Sequence, residues 1–234
     1  MSRRLLALAA LTSALALHAQ EPASLRGRVD GRTYYSPTGA FSIAIPVLPE
    51  LGGEITDTPN VVTFRDDFNT HVSIAVFPLD ATQRWEMASR GTKDYLAYFF
   101  ANFILADFRR TFQSVESEQA VFVPGIMDGA LVAYLLIPGG SMFMDKVAPF
   151  GGDKPPVAKR GNLLFVKNGD VYVISTELAE RVLEGKSYQK KPAEEDKLLR
   201  QRLDDIVSKM QFLKTANTRP NALTTPTPPA PSSK

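Results

Sequence analysis

Two short stretches near the start of the chain alternate strictly between apolar and small or polar residues. In Phe41–Ile45, apolar Phe41, Ile43 and Ile45 are interleaved with Ser42 and Ala44. In Thr70–Pro78, Val72, Ile74 and Val76 are interleaved with His71, Ser73 and Ala75. A period of two places one set on a buried sheet face and the other on the opposite face. With Thr33–Ser36 and Val61–Asp66, these runs predict an antiparallel sheet as the nucleus of the fold. Pro37-Thr38-Gly39 turns the first pair, and Asp66-Asp67-Phe68-Asn69 turns the second into a hairpin. Pro46 and Pro49 stop the second strand, because proline has no N–H to give a ladder. A further short strand is expected at Glu54–Thr56.

Helical periodicity follows. Asp80 with Gln83 forms a capping-box pattern that opens Ala81–Arg90, and Gly91 closes it. Thr92 can cap a second helix, Lys93–Arg110, with Leu96, Phe99, Phe100, Phe103, Ile104 and Phe108 on one broad face widened by Tyr95, Tyr98 and Leu105. Strands return at Ser114–Val123 and Ala130–Ile137. The next stretch, Pro138–Gly161, reads as one long loop containing Met142, Phe143, Met144 and Phe150, apolar residues that a purely solvated loop would not need. Leu163–Lys167 and Val171–Thr176 flank Asn168-Gly169, the pair that favours a tight type I′ hairpin. Thr176 can cap a short helix ending at Gly185. Pro192–Phe212 is the last predicted helix, with Leu199, Leu203, Ile206 and Met210 as a narrow apolar stripe and Asp196–Arg200 and Asp205–Lys209 as spaced ion pairs.

The ends of the chain have different chemistry. Arg3 and Arg4, the apolar run Leu5–Leu17 and the small residues before Gln20 form the three regions of a secretory signal peptide at 1–19, with cleavage after Ala19, or alternatively after Ala16. The apolar run is short for a membrane span of ~20 residues. Residues 20–32 are a polar lead-in, and the fold is expected as one domain over 33–213. Residues 214–234, rich in Pro, Thr and Ser, cannot bury enough surface to offset the entropy of ordering and are expected to be disordered.

The signal also changes the charge argument. The sequence has 27 Lys and Arg against 25 Asp and Glu, and residues 1–19 hold two of the arginines and no acid, so the remaining chain is balanced. A nucleic-acid binder would show a basic face, and this composition supports none. There is no cysteine, which excludes disulfides, thiol chemistry and a lipoprotein anchor. The expected location is the periplasm or the exterior, with no stable membrane anchor after cleavage.

Tyr34-Tyr35-Ser36-Pro37, then Phe41-Ser42-Ile43-Ala44-Ile45-Pro46, the aromatic helix, the hairpin Asn162-Leu163-Leu164-Phe165-Val166-Lys167-Asn168-Gly169-Asp170-Val171-Tyr172-Val173-Ile174-Ser175 and the final striped helix together resemble the PsbP-like superfamily. The resemblance spans about 34–212. It rests on core and turn residues, so what it implies is an architecture: an α+β fold, an antiparallel sheet flanked by helices in an α/β/α sandwich. Members of that superfamily include extrinsic subunits of photosystem II and a Ran-binding relative, and most act in binding or assembly. Fold alone does not carry function.

Candidate sites are few. Asp66, Asp67 and His71 offer oxygen and imidazole donors for a cation, but they match no spaced ligand motif, and turn acids facing water with a strand-start histidine are the simpler explanation. Ser141 in Gly139-Gly140-Ser141 could act as a nucleophile only if its loop reached His71, and it lies outside the Gly-x-Ser-x-Gly pattern. Glu116, Glu118 and Asp128 are acids of the kind any surface offers. No phosphate loop or dinucleotide fingerprint is present, and no cofactor is expected. Tyr95 and Tyr98 could line an apolar pocket beside the aromatic helix. Met142, Phe143, Met144 and Phe150 suit adaptable contact with another protein. The expected function is therefore an exported, non-catalytic binding or assembly module whose partner is another exported or envelope protein. A carrier of a small apolar ligand is the alternative, and a metal-dependent hydrolase at Asp66, Asp67 and His71 the third.

Overall fold

In a computed structural model, which describes residues 25–147 and 155–213, the alternating runs build two antiparallel sheets. Strands β1 (Arg28–Asp30), β2 (Thr33–Tyr35) and β3 (Phe41–Ala44) form a small sheet, closed by β11 (Met210–Phe212) in the order β1-β2-β3-β11. The large sheet comprises β4 (Glu54–Asp57), β5 (Val61–Arg65), β6 (His71–Pro78), β7 (Glu116–Val123), β8 (Ala130–Pro138), β9 (Val157–Lys167) and β10 (Asp170–Glu177). Its order is β4-β5-β6-β10-β9-β8-β7.

Strands β2 and β3 were expected in one sheet with β5 and β6. With β1 they form a second layer instead, their inward aromatics buried face to face against the large sheet. The Tyr34 ring meets Phe64 edge-on at 5.7 Å, and Phe41 lies 6.4 Å from Tyr172, which stacks on Phe165 at 5.2 Å. Both layers share one core, so this is still a single body. Asp57 ties them at the edge by accepting hydrogen bonds from the Tyr34 hydroxyl and the Arg26 and Gly27 amides. The polar lead-in is thus partly structured, and β1 belongs to the domain.

Helix α6 (Pro192–Ser208) lies on the same face as the small sheet, burying Leu199, Leu203, Ile206 and Val207. Each such side chain contributes about 1.5–3 kcal/mol. Its close approach requires Gly161 in β9, where a Cβ would meet Leu199 Cβ at 3.1 Å and Leu203 Cδ1 at 3.2 Å. The helix was expected to reach Phe212. It ends at Ser208, and Met210–Phe212 pairs with β3, so that Phe212 packs on Phe165 and Tyr172. The expected ion pairs are also redistributed, since Arg200 pairs with Asp204 while Asp196 turns to Lys159.

The opposite face carries α2 (Thr92–Phe99), α3 (Leu105–Thr111) and α5 (Ala179–Leu183), preceded by α1 (Ala81–Arg90) with the expected Asp80–Gln83 capping box. Gly91, rather than Thr92, is the N-cap of α2, and Thr176 donates to the His71 carbonyl instead of capping α5. Between α2 and α3, Phe100–Ile104 forms a π turn, with the Leu105 amide bonded to the Phe100 carbonyl. Uninterrupted α geometry would continue the apolar face through Phe103 to Asp107. The extra residue rephases it to Leu105, Phe108 and Phe112, and leaves Phe103 46% exposed. Leu105→Ala should accordingly cost about 2–5 kcal/mol in a urea melt, and Phe103→Ala no more than about 0.5 kcal/mol.

The Asn168-Gly169 hairpin is as expected, both residues having positive φ (53° and 86°). The long loop is not. Strand β9 begins at Val157, and Met144–Val147 forms the one-turn helix α4. Among the described residues, no helix is long and apolar enough to cross a membrane. The signal segment, the tail and Phe150 lie outside the described residues.

Candidate functional site

The early start of β9 puts two adjacent cations inside the protein. Strand alternation sends Lys159 to the α6 face and Arg160 to the α2 face. The Lys159 ammonium is fully buried, and it lies 2.6 Å from Glu118, 2.6 Å from Asp196 and 3.2 Å from Glu195. Glu118 reaches it from an irregularity in β7, where the register shifts between Ser117 and Gln119. Glu195, itself buried, also binds Arg181 at 2.5 Å. Burial works to lower the Lys159 pKa, but the carboxylates of Asp196, Glu118 and Glu195 outweigh it and the net shift is upward. A lysine thus stands among three acids where a cation is needed.

On the other face Arg160 meets Glu177, its cross-strand neighbour, at 3.5 Å. Glu177 is fully buried and organises the segment after β8. It accepts the Ser141 hydroxyl at 2.5 Å and the Met142 amide at 3.0 Å, while Ser141 Oγ accepts the Phe143 amide. Phe143, expected on an adaptable loop surface, is completely buried; Met142 and Met144 are half-buried. The serine is engaged with a carboxylate, an arrangement that holds a loop in place rather than activating a nucleophile.

From there α4 reaches the β5–β6 turn. Asp145 pairs with Arg65 at 3.0 Å, and Lys146 donates to the Asp67 carbonyl and, at 3.1 Å, to its carboxylate. The turn is built on Asp66, whose Oδ1 accepts the amides of Phe68, Asn69 and Thr70, each at 2.9 Å. Burial raises the Asp66 pKa, but the hydrogen bonds from Thr70, Phe68 and Asn69 prevail and lower it. His71 points into the protein. Asp66 and Asp67 are therefore engaged in the turn and its contacts with α4, His71 is buried, and among the described residues no group of three acids or histidines is placed to hold a metal ion.

Beside this turn stands a single turn of 3₁₀ helix, Pro49–Leu51, whose Leu51 carbonyl accepts the Asp67 amide at 3.0 Å. The two bonded segments present Leu48, Leu51 and Phe68 to solvent, Phe68 at 58% exposure. A cleft of about 220 Å³ opens next to them, with Val72, Thr176 and Ile206 as floor and Pro46, Asn69, Arg202, Asp205 and Lys209 around it. Arg202 is held by Glu180 and by the Glu177 carbonyl. This end of the molecule thus combines pinned backbone, exposed apolar side chains and a polar-rimmed cleft.

Other expectations resolve differently. Tyr95 is buried against the sheet with its hydroxyl unpartnered among the described residues, and burial pushes its pKa up to about 12. Tyr98 lies at the surface under Arg90, 4.6 Å from the guanidinium, and packs edge-on to Phe103. The helix's apolar face is therefore largely spent on the sheet. Sequence reading passed over Lys159, Arg160, Glu177, Leu48, Leu51 and Phe68. The residue pattern Val157-Ala158-Lys159-Arg160 offers no alternation to reveal a strand.

His71 makes the fold acid-sensitive. Burial, then the Arg160 and Arg65 charges, depress its pKa to about 3. Above pH 6.5 it is neutral whether folded or not and contributes nothing to pH dependence. As pH falls from there toward 3, only the unfolded chain binds the proton, and stability should fall by about 1.4 kcal/mol per pH unit. His71→Gln should remove that part of the slope in urea melts across this range.

No protein-family model matches the sequence, and no curated protein matches it. Among solved structures the chain is similar to the cyanobacterial PsbP of Synechocystis sp. PCC 6803, with 13% identity over 80% of this chain and 98% of that one and a TM-score of 0.48. It is also similar to the Ran-binding protein Mog1p of Saccharomyces cerevisiae, with 12% identity over 82% and 98% and a TM-score of 0.47. These likenesses concern the fold alone, and the antiparallel α+β architecture rests on the strands and helices described above.

Proposed function

We propose that the protein is an exported, non-catalytic module that binds another protein through the end carrying Leu48, Leu51 and Phe68. The observation that carries this reading is that these exposed apolar side chains sit on backbone already fixed by Asp66, Asp67 and the Leu51 carbonyl. A surface fixed before contact loses little entropy on binding. The adjoining cleft, with Lys209, Asp205 and Arg202 on its rim, suits a partner that follows an apolar contact with a polar side chain. Export rests on the composition of residues 1–19.

The test is photo-crosslinking in cells from a probe placed at Leu51, with Leu48→Ser and Phe68→Ser as variants. One crosslinked protein that both variants remove, with circular dichroism unchanged, is the expected result; an unchanged crosslink pattern overturns the reading. Fractionation with N-terminal sequencing should find an extracytoplasmic chain beginning at Gln20.

A further inference from the structure

We infer that the α2-side face of the large sheet holds a binding site for a small oxyanion between Arg65 and Arg160, over His71. Register places the three together. Arg65 is the cross-strand partner of His71, and Arg160 that of Glu177. Thr176 lies opposite Val72, so Glu177 is level with His71 and the four residues form one row across β5, β6, β10 and β9. Alternation directs all four to the same face, since Val72 and Thr176 point to the other.

The row is short of hydrogen-bond partners. Arg160 is only 8% exposed, yet of its five N–H donors it uses one nitrogen, in long contacts of 3.3 Å to the Gly140 carbonyl and 3.5 Å to Glu177. Its Nε is buried with no partner among the described residues, and so is His71 Nδ1, on a residue 2% exposed. Buried polar atoms are nearly always satisfied, so two orphans on one row point to an occupant. Its chemistry follows from theirs. Arginine Nε is a donor only, and a neutral imidazole can present Nδ1–H. Two buried donors on one row, on either side of Glu177, call for an oxygen acceptor.

Charge narrows the class. Glu177 and Asp145 are the nearby carboxylates, but Glu177 already receives the Ser141 hydroxyl, the Met142 amide and Arg160, and Asp145 is drawn outward onto Arg65. Arg65 stands next to His71 on the row and Arg160 one strand beyond Glu177, and both positive charges act on the imidazole. A carboxylate or phosphate oxygen fits that field better than a neutral group. Half-buried Thr63 and Ser73, hydrogen-bonded to each other in the next row, leave a polar approach beside the helices. This site is separate from the apolar end and independent of the partner proposed there.

The test uses the ¹⁵N-labelled full chain and long-range ¹H–¹⁵N spectra of the imidazoles. His71→Asn removes the signal and so assigns it. Acetate and inorganic phosphate are titrated against chloride at matched ionic strength. The expected result is a saturable shift of the His71 nitrogens with acetate, with phosphate or with both, and none with chloride; the anion that saturates gives the class. Arg160→Lys, which keeps the charge facing Glu177, should weaken binding about tenfold, and the rim variant Arg65→Gln about threefold. A His71 signal that follows ionic strength only, or equal titrations in wild type and both variants, overturns the site and leaves the two atoms to water.

Discussion

Replacing Lys159 with alanine should lower the unfolding free energy at neutral pH by about 3–5 kcal/mol, the range for removing one partner of a buried ion pair. The cost comes less from the lost contacts than from what stays behind. Glu195 is buried and keeps Arg181, while Glu118 and Asp196 lose the cation that lets them share one site. Urea melts of wild type, Lys159→Ala and Lys159→Met at pH 7 check the size and the cause, since methionine keeps most of the bulk and removes the charge. A deficit for Lys159→Met far smaller than that for Lys159→Ala would assign the loss to packing. Because Lys159 joins β9 to α6 and β7, the variant should also loosen α6, which amide exchange reads along Leu199–Val207.

The second large effect is expected at Glu177. Alanine there strands the Arg160 charge inside the protein and takes the acceptor from the Ser141 hydroxyl and the Met142 amide. A loss of about 3 kcal/mol or more follows from the unpaired buried charge alone. The distinctive consequence is local. Segment 140–147 is held to the large sheet by this carboxylate at one end and by the Asp145 and Lys146 pairs at the other. Glu177→Ala should speed amide exchange over Ser141–Val147 at least tenfold more than over β8, and open a protease site there. Glu177→Gln keeps an acceptor for Ser141 and should fall between the two. Equal acceleration across the sheet would show that the residue acts only on global stability.

These two residues mark where sequence reading ends. The hairpin at Asn168-Gly169, the capping box at Asp80 and the stripe Leu199, Leu203, Ile206 were legible because each is decided by residues a few positions apart. Lys159 and Arg160 read as loop because a buried charge is affordable only with partners, and those partners, Glu118, Glu177, Glu195 and Asp196, are distant in the chain. The π turn was hidden for a related reason: Phe103 is as apolar as Leu105, and only Asp107 hints that the straight helix would carry a carboxylate into the core. Phe143 was read as a contact residue because nothing local announces that Glu177 will hold its loop down. The exposed end was missed because Leu48, Leu51 and Phe68 are separated in sequence and become neighbours only through the Asp67–Leu51 hydrogen bond.

The pairing of β3 with β11 has a consequence for how this molecule comes into being. The first-made strands leave a ladder edge open, and the residues that occupy it are the last of the domain to be synthesised. Partial chains emerging from the ribosome therefore lack the piece that shuts the aromatic interior, and closing so long a loop is slow. The nascent polypeptide stays unlatched until Phe212 has been made, and a stop codon just before Met210 should leave a product that cannot lock.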